Sequence, residues 1–461
     1  MGQSVITRVI TVASGRFAPG HLGELTQQVP FEMVDAVLAE TGAVQRRVRD
    51  LPSRVVVYLL LAGCLFAELG YRQVWQRLVA GLGGLDLADP TETALTKARR
   101  RVGPAPLRAL FELLRGPAAA PAGRVRWHGL LVCAIDGTTM TVADAAANLT
   151  RFTKQRGGVA GGSTSYPMLR LVALVACGTR SLIDAVFGPI MTGEITYVPQ
   201  LLGSLQPGML VLADRNFAAG HLVAAITGTH AHLLVRANVG RCGPKLPVLC
   251  RLPDGSYRSM FGGAPVRVID AQITVATTTG RTINAYRLVT TLLAHDRYPA
   301  FEIVQLYHQR WEIETCYLEL KSSILGGRVL RARTPAGVEQ EVYALLVTYQ
   351  IVRTAMADAT NTAQVDPDRA SFTTALHAAR DQIIQAAGVL ADTAIDLLGR
   401  IGRLVLDNLL PPRRLRVNAR TVKRAISKYN ARGPNIDRRT YKATIAIDVL
   451  AGPALTTGPE P

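Results

Sequence analysis

The sequence predicts a mixed α/β fold in which a strand-rich centre is flanked by helical regions. Three observations carry that expectation. Residues 1–115 follow a helical spacing of apolar positions. From residue 124 the apolar residues gather into short runs bounded by Gly, Pro and Asp, and beyond residue 290 helical spacing returns. With 461 residues, 48% of them hydrophobic, the chain is long enough for two or three domains and a sizeable core, which excludes global disorder.

Charge and cysteine usage narrow the class. Lys and Arg number 52 against 34 Asp and Glu, a net charge of +18, and that balance calls for a polyanionic partner. The longest apolar run, Val55 to Ala67, is too short to span a bilayer and reads as a buried helix. The N-terminus lacks the charged start and apolar centre of a secretory leader. Cys64, Cys133, Cys177, Cys242, Cys250 and Cys316 show no CxxC pair and no zinc-type spacing; several lie in apolar runs and read as small core residues, which fits a reducing cytoplasm.

The N-terminal region reads as helices over Phe31 to Thr41, from Ser53 (a candidate cap) onward, and over Tyr71 to Leu82. Asp89-Pro90-Thr91-Glu92 reads as a further helix start, with Asp89 as cap and Pro90 in the first position. That helix carries Lys97, Arg99, Arg100 and Arg101, so this pair of helices could read DNA or merely present a solvated basic face. GPAAAPAG, Gly116 to Gly123, is a linker.

Strands follow. Leu130 to Ile135 is an apolar run ending in Asp136-Gly137. Tyr166 to Cys177 and Ser181 to Phe187 form a hairpin across Gly178-Thr179. Met209 to Ala213 ends in Asp214-Arg215-Asn216-Phe217, and a helix through Ile226 and a strand, His232 to Ala237, come next. Residues 238–290 alternate like strands between Gly and Pro and read as a β-rich insertion. A long helix containing YHQRWEIETCYLELK, Tyr307 to Lys321, leads into further helices to about Leu410. The tail is basic: from Pro411 to Lys442 eleven Lys or Arg face one acid, Asp437. Concentrated charge of that kind suits the phosphate backbone; a solubilising tail is the plainer reading.

If Tyr307 to Lys321 is one α-helix, about 100° per residue puts Tyr307, Arg310, Glu314 and Lys321 within a stripe of about 60°. Leu306, Ile313, Cys316, Tyr317, Leu320 and Ile324 form the apolar stripe beside it. Glu312 and Glu319 then point away from the core, leaving Glu314 as the carboxylate placed for chemistry. The plain alternative is an Arg310–Glu314 surface pair, worth about 0.2–0.5 kcal/mol. Asp136 and Asp214 each close an apolar run. Singly such residues are turn formers, but at the ends of adjacent strands they would form, with Glu314, an all-oxygen site suited to Mg²⁺ or Mn²⁺. Two such ions serve in-line displacement at phosphorus.

The spacing Tyr-x2-Arg-x3-Glu-x6-Lys resembles the YREK signature of bacterial insertion-sequence transposases, the insertion-element-four family of the DDE class. Asp136 before Gly, Asp214 in an apolar-Asp-x-x-Phe setting, and Glu314 match that family's three catalytic carboxylates in order. YPMLRLVALVACGTRSL and LRARTPAGVEQEVYALL are similar to family segments as well. The resemblance implies a ribonuclease-H-like catalytic core over 124–335, interrupted by the insertion at 238–290. A helical DNA-binding domain over 1–115, C-terminal helices over 336–410 and a basic tail over 411–461 would flank it. It implies Asp136, Asp214 and Glu314 as ligands of two Mg²⁺ or Mn²⁺ ions. Tyr307, Arg310 and Lys321 would contact DNA phosphates. Further DNA candidates are Arg215 and, in the tail, Arg413, Arg414, Lys423, Arg424 and Lys428. The implied partners are double-stranded DNA, both the element's terminal inverted repeats and the target, and a second copy of the chain on that DNA; no membrane is involved. In some relatives an insertion tryptophan stacks on a flipped base. Here Trp75, Trp127 and Trp311 lie elsewhere, leaving Tyr257, Phe261 or Tyr286 to stack.

The leading expectation is therefore a bacterial cytoplasmic transposase that cuts element ends and joins them to target DNA. The alternatives are a nuclease of the same fold without strand transfer, a DNA-binding protein that has lost catalysis, and a membrane-surface protein using its basic tail.

Overall fold

The computed structural model describes residues 8–120, 125–156, 163–239, 243–278, 280–386, 399–412, 416–418 and 440–451. Its centre is built from β1 (Leu130–Thr141), β2 (Ser163–Ala176), β3 (Leu182–Pro189), β4 (Met209–Ala213) and β5 (His232–Ala237). β1 to β3 form an antiparallel meander; β4 lies parallel to β1 on its other side, and β5 parallel to β4. The spatial order is β3-β2-β1-β4-β5, the arrangement of a ribonuclease-H-like core.

Alternation along the strands sorts their side chains onto two faces. Val132, Ala134, Leu210 and Leu212 join the large core that also contains Ile313, Leu320 and the N-terminal helices. Cys133, Ile135, Val211 and Ala213 join a smaller core with Leu222, Val223 and Ile226 of α3, which is introduced below. Both faces are covered, which is why β1 and β4 read as near-continuous apolar runs.

The helices are α1 (Ser53–Leu65), α2 (Glu92–Val102), α3 (Gly220–Gly228), α4 (Ala300–Leu306), α5 (Glu312–Leu318) and α6 (Pro335–Thr362), with others at Phe31–Glu40, Tyr71–Val79, Ala105–Leu114, Phe372–Ile384 and Gly399–Asp407. α1 is apolar from Val55 onward and buried at every residue but Arg54, packed on α6. A two-stranded ribbon, Arg8–Thr11 with Phe17–Gly20, precedes these helices. Two expected caps are corrected. Ser53 is the first residue of α1, and its hydroxyl donates to the Ala43 carbonyl at 2.7 Å. α2 is capped not by Asp89 but by Thr91, whose hydroxyl accepts from the Ala94 N–H at 3.2 Å.

The insertion is β-rich. Strands β6 (Tyr257–Phe261), β7 (Ala264–Thr277) and β8 (Gly280–Thr290) continue the central sheet through pairing of β8 with β5. Part of the expected tail belongs to it as well. β9 (Thr440–Val449) pairs antiparallel with β7 from Ala271 to Thr277 and also with the short strand Arg416–Asn418. The candidate tail residues Arg413, Arg414, Lys423, Arg424 and Lys428 lie outside the described residues. Among those described, no helix is long and apolar enough to cross a membrane.

Two further expectations fail here. Asp136 does not end its strand: β1 continues to Thr141, paired throughout with β2, and what ends at Ile135 is the pairing with β4. Nor is Tyr307 to Ile324 a single α-helix. Tyr307–Trp311 is a 3₁₀ turn, Glu312–Leu318 is α5, and Glu319–Ile324 is π-helical. A constant 100° per residue does not hold across those changes of pitch. Glu312 and Glu319, expected to point away from the core, are both buried.

Candidate active site

The site lies where β1 and β4 part. Ile135 and Ala213 are the last parallel partners, so Asp136 and Asp214 occupy the next positions after those two neighbouring strands cease to pair. Adjacent strands run about 4.8 Å apart. Ile135 faces the smaller core, so alternation turns Asp136 to the opposite face, where the Tyr307–Ile324 segment packs. Asp214 closes β4 and caps a 3₁₀ turn, its Oδ1 accepting from the Arg215 N–H at 2.7 Å; Arg215 itself is exposed.

That segment is pinned over both strands. The Tyr317 hydroxyl donates to the Asp136 carbonyl at 2.5 Å and accepts from the Ala173 N–H of β2 at 3.1 Å. The Tyr307 hydroxyl donates to the Ala213 carbonyl at 3.0 Å. Tyr307 is therefore a buried support immediately before Asp214. The Lys321 ammonium donates to the Thr138 hydroxyl, 2.8 Å away, two residues beyond Asp136.

Arg310 stands between the carboxylates. Its Nη1 is 3.5 Å from Asp136 Oδ2, and its Nη2 is 3.9 Å from Glu314 Oε1. Burial works against the Arg310 charge, but Tyr307, Asp214, Asp136 and Glu314 outweigh it and hold its pKa above the ordinary value. Its Nε is buried without a hydrogen-bond partner, a donor awaiting an acceptor. Burial also pushes the Asp136 carboxyl up to about 7. The Gly137 N–H and Arg310 oppose that rise, and the charges of Glu194 and Asp214 add to it. Glu314 is 40% exposed and carried on the first turn of α5.

The structure thus brings Asp136, Asp214, Arg310, Glu314 and Lys321 to one edge. Among the described residues no three carboxylate, histidine or cysteine side chains converge closely enough to hold an ion as they stand. The donors nevertheless fit a hard divalent cation. They are all oxygens, two are carboxylates placed side by side where β1 and β4 part, and the charge of Asp214 adds to the rise that burial gives the Asp136 pKa.

Several participants were not anticipated. Glu194 packs against Gly137 so closely that a Cβ there would lie 2.5 Å from its carboxyl carbon, which accounts for the glycine after Asp136. Glu194 is held by Arg170 at 2.5 Å. Arg236 lies 3.9 Å over the Tyr286 ring, which meets the Tyr307 ring edge-on at 6.5 Å. Of the three candidate stacking residues, Tyr257 is buried and Phe261 packs in the smaller core, so Tyr286 is the one beside the site. These residues come from loops and strands distant in sequence and carry no spacing signal; only the alternation of β2 hinted that Arg170 faces away from Leu169 and Leu171.

Comparison with known proteins agrees with this picture. The family profile described as "Insertion element 4 transposase N-terminal" matches residues 19–112, and the one described as "Transposase DDE domain" matches residues 127–351. The transposase InsG for insertion sequence element IS4 of Escherichia coli strain K12 is 27% identical over 414 residues, spanning 86% of this chain and 91% of that protein. The putative transposase InsZ of the same strain is 27% identical over 218 residues, 46% of this chain and 70% of its own length. A piggyBac transposase synaptic complex with hairpin DNA superposes with a TM-score of 0.41 at 11% identity, covering 82% of this chain and 83% of that one. That likeness is too loose to bear on the site.

Proposed function

The chain belongs to the insertion-element-4 family of DDE transposases, and from that premise we propose that Asp136, Asp214 and Glu314 carry its DNA cleavage and joining. Enzymes of this class bind DNA and use divalent metal ions. The observation that carries the assignment is the register: Ile135 pairs with Ala213, which sets the two aspartates side by side under the segment bearing Glu314. We assign these carboxylates as the ligands of two Mg²⁺ or Mn²⁺ ions. When bound, such ions lower the pKa of the attacking water or 3′-hydroxyl and neutralise the leaving oxygen.

The chain's own residues supply the positioning. Arg310, with an unsatisfied Nε at the site, takes a phosphate oxygen of the strand being cut. As it turns to the phosphate it withdraws from Glu314, which is then available beside Asp136. Lys321, fixed on Thr138, provides a second positive point for the DNA backbone. Tyr307 acts from beneath, through Ala213. Arg215, the basic tail with Arg413, Arg414, Lys423, Arg424 and Lys428, and the N-terminal helices are assigned to DNA contact outside the chemistry. Tyr286, under Arg236, is the candidate platform for an unstacked base. We further assign the working form as a dimer on DNA in the bacterial cytoplasm.

The test is a plasmid carrying the inverted repeats that flank the gene, incubated with purified protein and Mg²⁺ or Mn²⁺. The proposal requires both cleavage at the repeat ends and covalent joining of those ends to target DNA. Cleavage with no joined product would favour the nuclease reading.

A further inference from the structure

Two glutamates on the catalytic segment flank Glu314, at positions 312 and 319, and both are buried at 8% and 7% exposure. Each is gripped by an arginine from a different part of the fold. Glu312 Oε2 accepts from Arg180 Nε at 2.6 Å; Arg180, in the turn between β2 and β3, also donates through Nη2 to Asp368 Oδ1 at 2.5 Å. Glu319 Oε2 is held by Arg353 of α6, whose side chain is 2% exposed and lies over the Phe372 ring. Tyr349 joins the two grips. Its hydroxyl lies 3.0 Å from both Glu319 Oε2 and the Arg180 carbonyl, and it accepts from Arg353 Nε at 3.2 Å.

The grips fall where the helix changes pitch. Glu312 is the first residue after the 3₁₀ turn and Glu319 the first of the π segment. Between them lies the single α stretch carrying Glu314, and within the π segment lies Lys321 on Thr138. Arg180 holds its place with φ +56°, a conformation L residues adopt only when their surroundings impose it. Irregular helix of this kind is a recognised mark of functional segments. Here a buried ion pair sits at each change of pitch, one on Glu312 and one on Glu319.

We propose that Arg180 and Arg353, through Glu312 and Glu319, are positioning residues that set the rotation of the Glu314–Lys321 segment, so that Glu314 is presented to the ions held by Asp136 and Asp214. The inference rests on the assignment of Glu314 as a metal ligand. It goes further in making the strength of ion binding depend on side chains that touch neither ion nor DNA.

The experiment uses the full chain. In Glu319→Leu with Arg353→Met, apolar groups of similar volume replace the buried pair, a change that commonly leaves folding intact. Arg353→Lys keeps the charge and loses the planar fork. Mn²⁺ binding to the protein–DNA complex is followed by EPR of the free ion, alongside single-turnover nicking, thermal melting and DNA affinity. The expected result for the double variant is near-normal melting and DNA affinity, Mn²⁺ affinity weakened about tenfold, and nicking slowed by about a hundredfold, the scale of a 1 Å misplacement. Arg353→Lys should fall between the double variant and wild type in both Mn²⁺ affinity and rate. Wild-type Mn²⁺ affinity and nicking in either variant overturns the proposal. So does a loss of rate that follows melting temperature with Mn²⁺ affinity unchanged. Glu314→Gln separates the premises: if it nicks normally the metal-ligand assignment fails, and if it is inert while the clamp variants behave as wild type, only the present inference fails.

Discussion

At the scale of single residues, the site turns on which charges face one another. Asp136→Asn, Asp214→Asn and Glu314→Gln are each expected to abolish metal-dependent nicking while leaving DNA affinity within about twofold, because DNA affinity rests chiefly on phosphate contacts made elsewhere. A gel-shift assay beside a nicking assay checks both halves. Arg310 contacts Asp136 and Glu314 and holds an unsatisfied Nε. Its loss in Arg310→Ala should slow nicking by about a hundredfold, with Arg310→Lys intermediate; equal rates for Ala and wild type would remove it from the site. Gly137→Ala drives a Cβ into Glu194 and should disturb the Glu194–Arg170 pair, costing about 1–3 kcal/mol by overpacking, measurable by denaturant titration. The gathering of Asp136, Asp214 and Glu314 at one edge was legible because each sits in a local pattern, a strand run or a fixed helical spacing. Glu194, Arg170 and Tyr317 were not. Their part in the site depends on strand neighbours that no local window contains.

At the scale of elements, the sheet was the more legible half. β4 and β5 are apolar runs bounded by turn residues, and the hairpin of β2 and β3 follows its Gly-Thr signal, because strands buried on both faces leave a plain mark. The Tyr307–Ile324 segment was less legible. Its apolar stripe predicted one helix, but the segment changes pitch at Glu312 and at Glu319, which a regular wheel cannot carry, and the wheel therefore turned both glutamates outward. As a result Glu312→Ala is not a silent change on the far side of the helix. Removing Glu319 leaves the buried Arg353 uncompensated, and Glu319→Ala should cost about 3–5 kcal/mol in denaturant unfolding; Glu312→Ala leaves Arg180 its second partner, Asp368, and should cost less. A cost below about 1 kcal/mol, the scale of a surface pair, would contradict the buried geometry. β9 was also missed: basic residues dominate the stretch before it and mask a strand whose alternate residues Ile445, Ile447 and Val449 are half-buried. Truncation at residue 439 should therefore loosen the β7–β8 hairpin, seen as faster amide exchange at Ala271 to Thr277; unchanged exchange would place the strand elsewhere.

At the scale of the whole molecule, the net charge of +18 predicts the partner but not the address. Replacing Arg413, Arg414, Lys423, Arg424 and Lys428 by Gln should weaken binding to any duplex and flatten its dependence on salt, by up to about 4.5 in the slope if all five meet phosphates. An unchanged slope would return the tail to a solubilising role. The central claim is narrower: one metal centre assembled from two neighbouring strands and the segment that crosses them. Its most direct measurement replaces the natural ion with Fe²⁺ in the protein–DNA complex and adds ascorbate and peroxide, so that radicals generated at the bound ion cut the nearby backbone. The account predicts breaks clustered at residues near 136, 214 and 314, suppressed by excess Mg²⁺. Breaks confined to other parts of the chain, or a pattern that Mg²⁺ does not suppress, would contradict it.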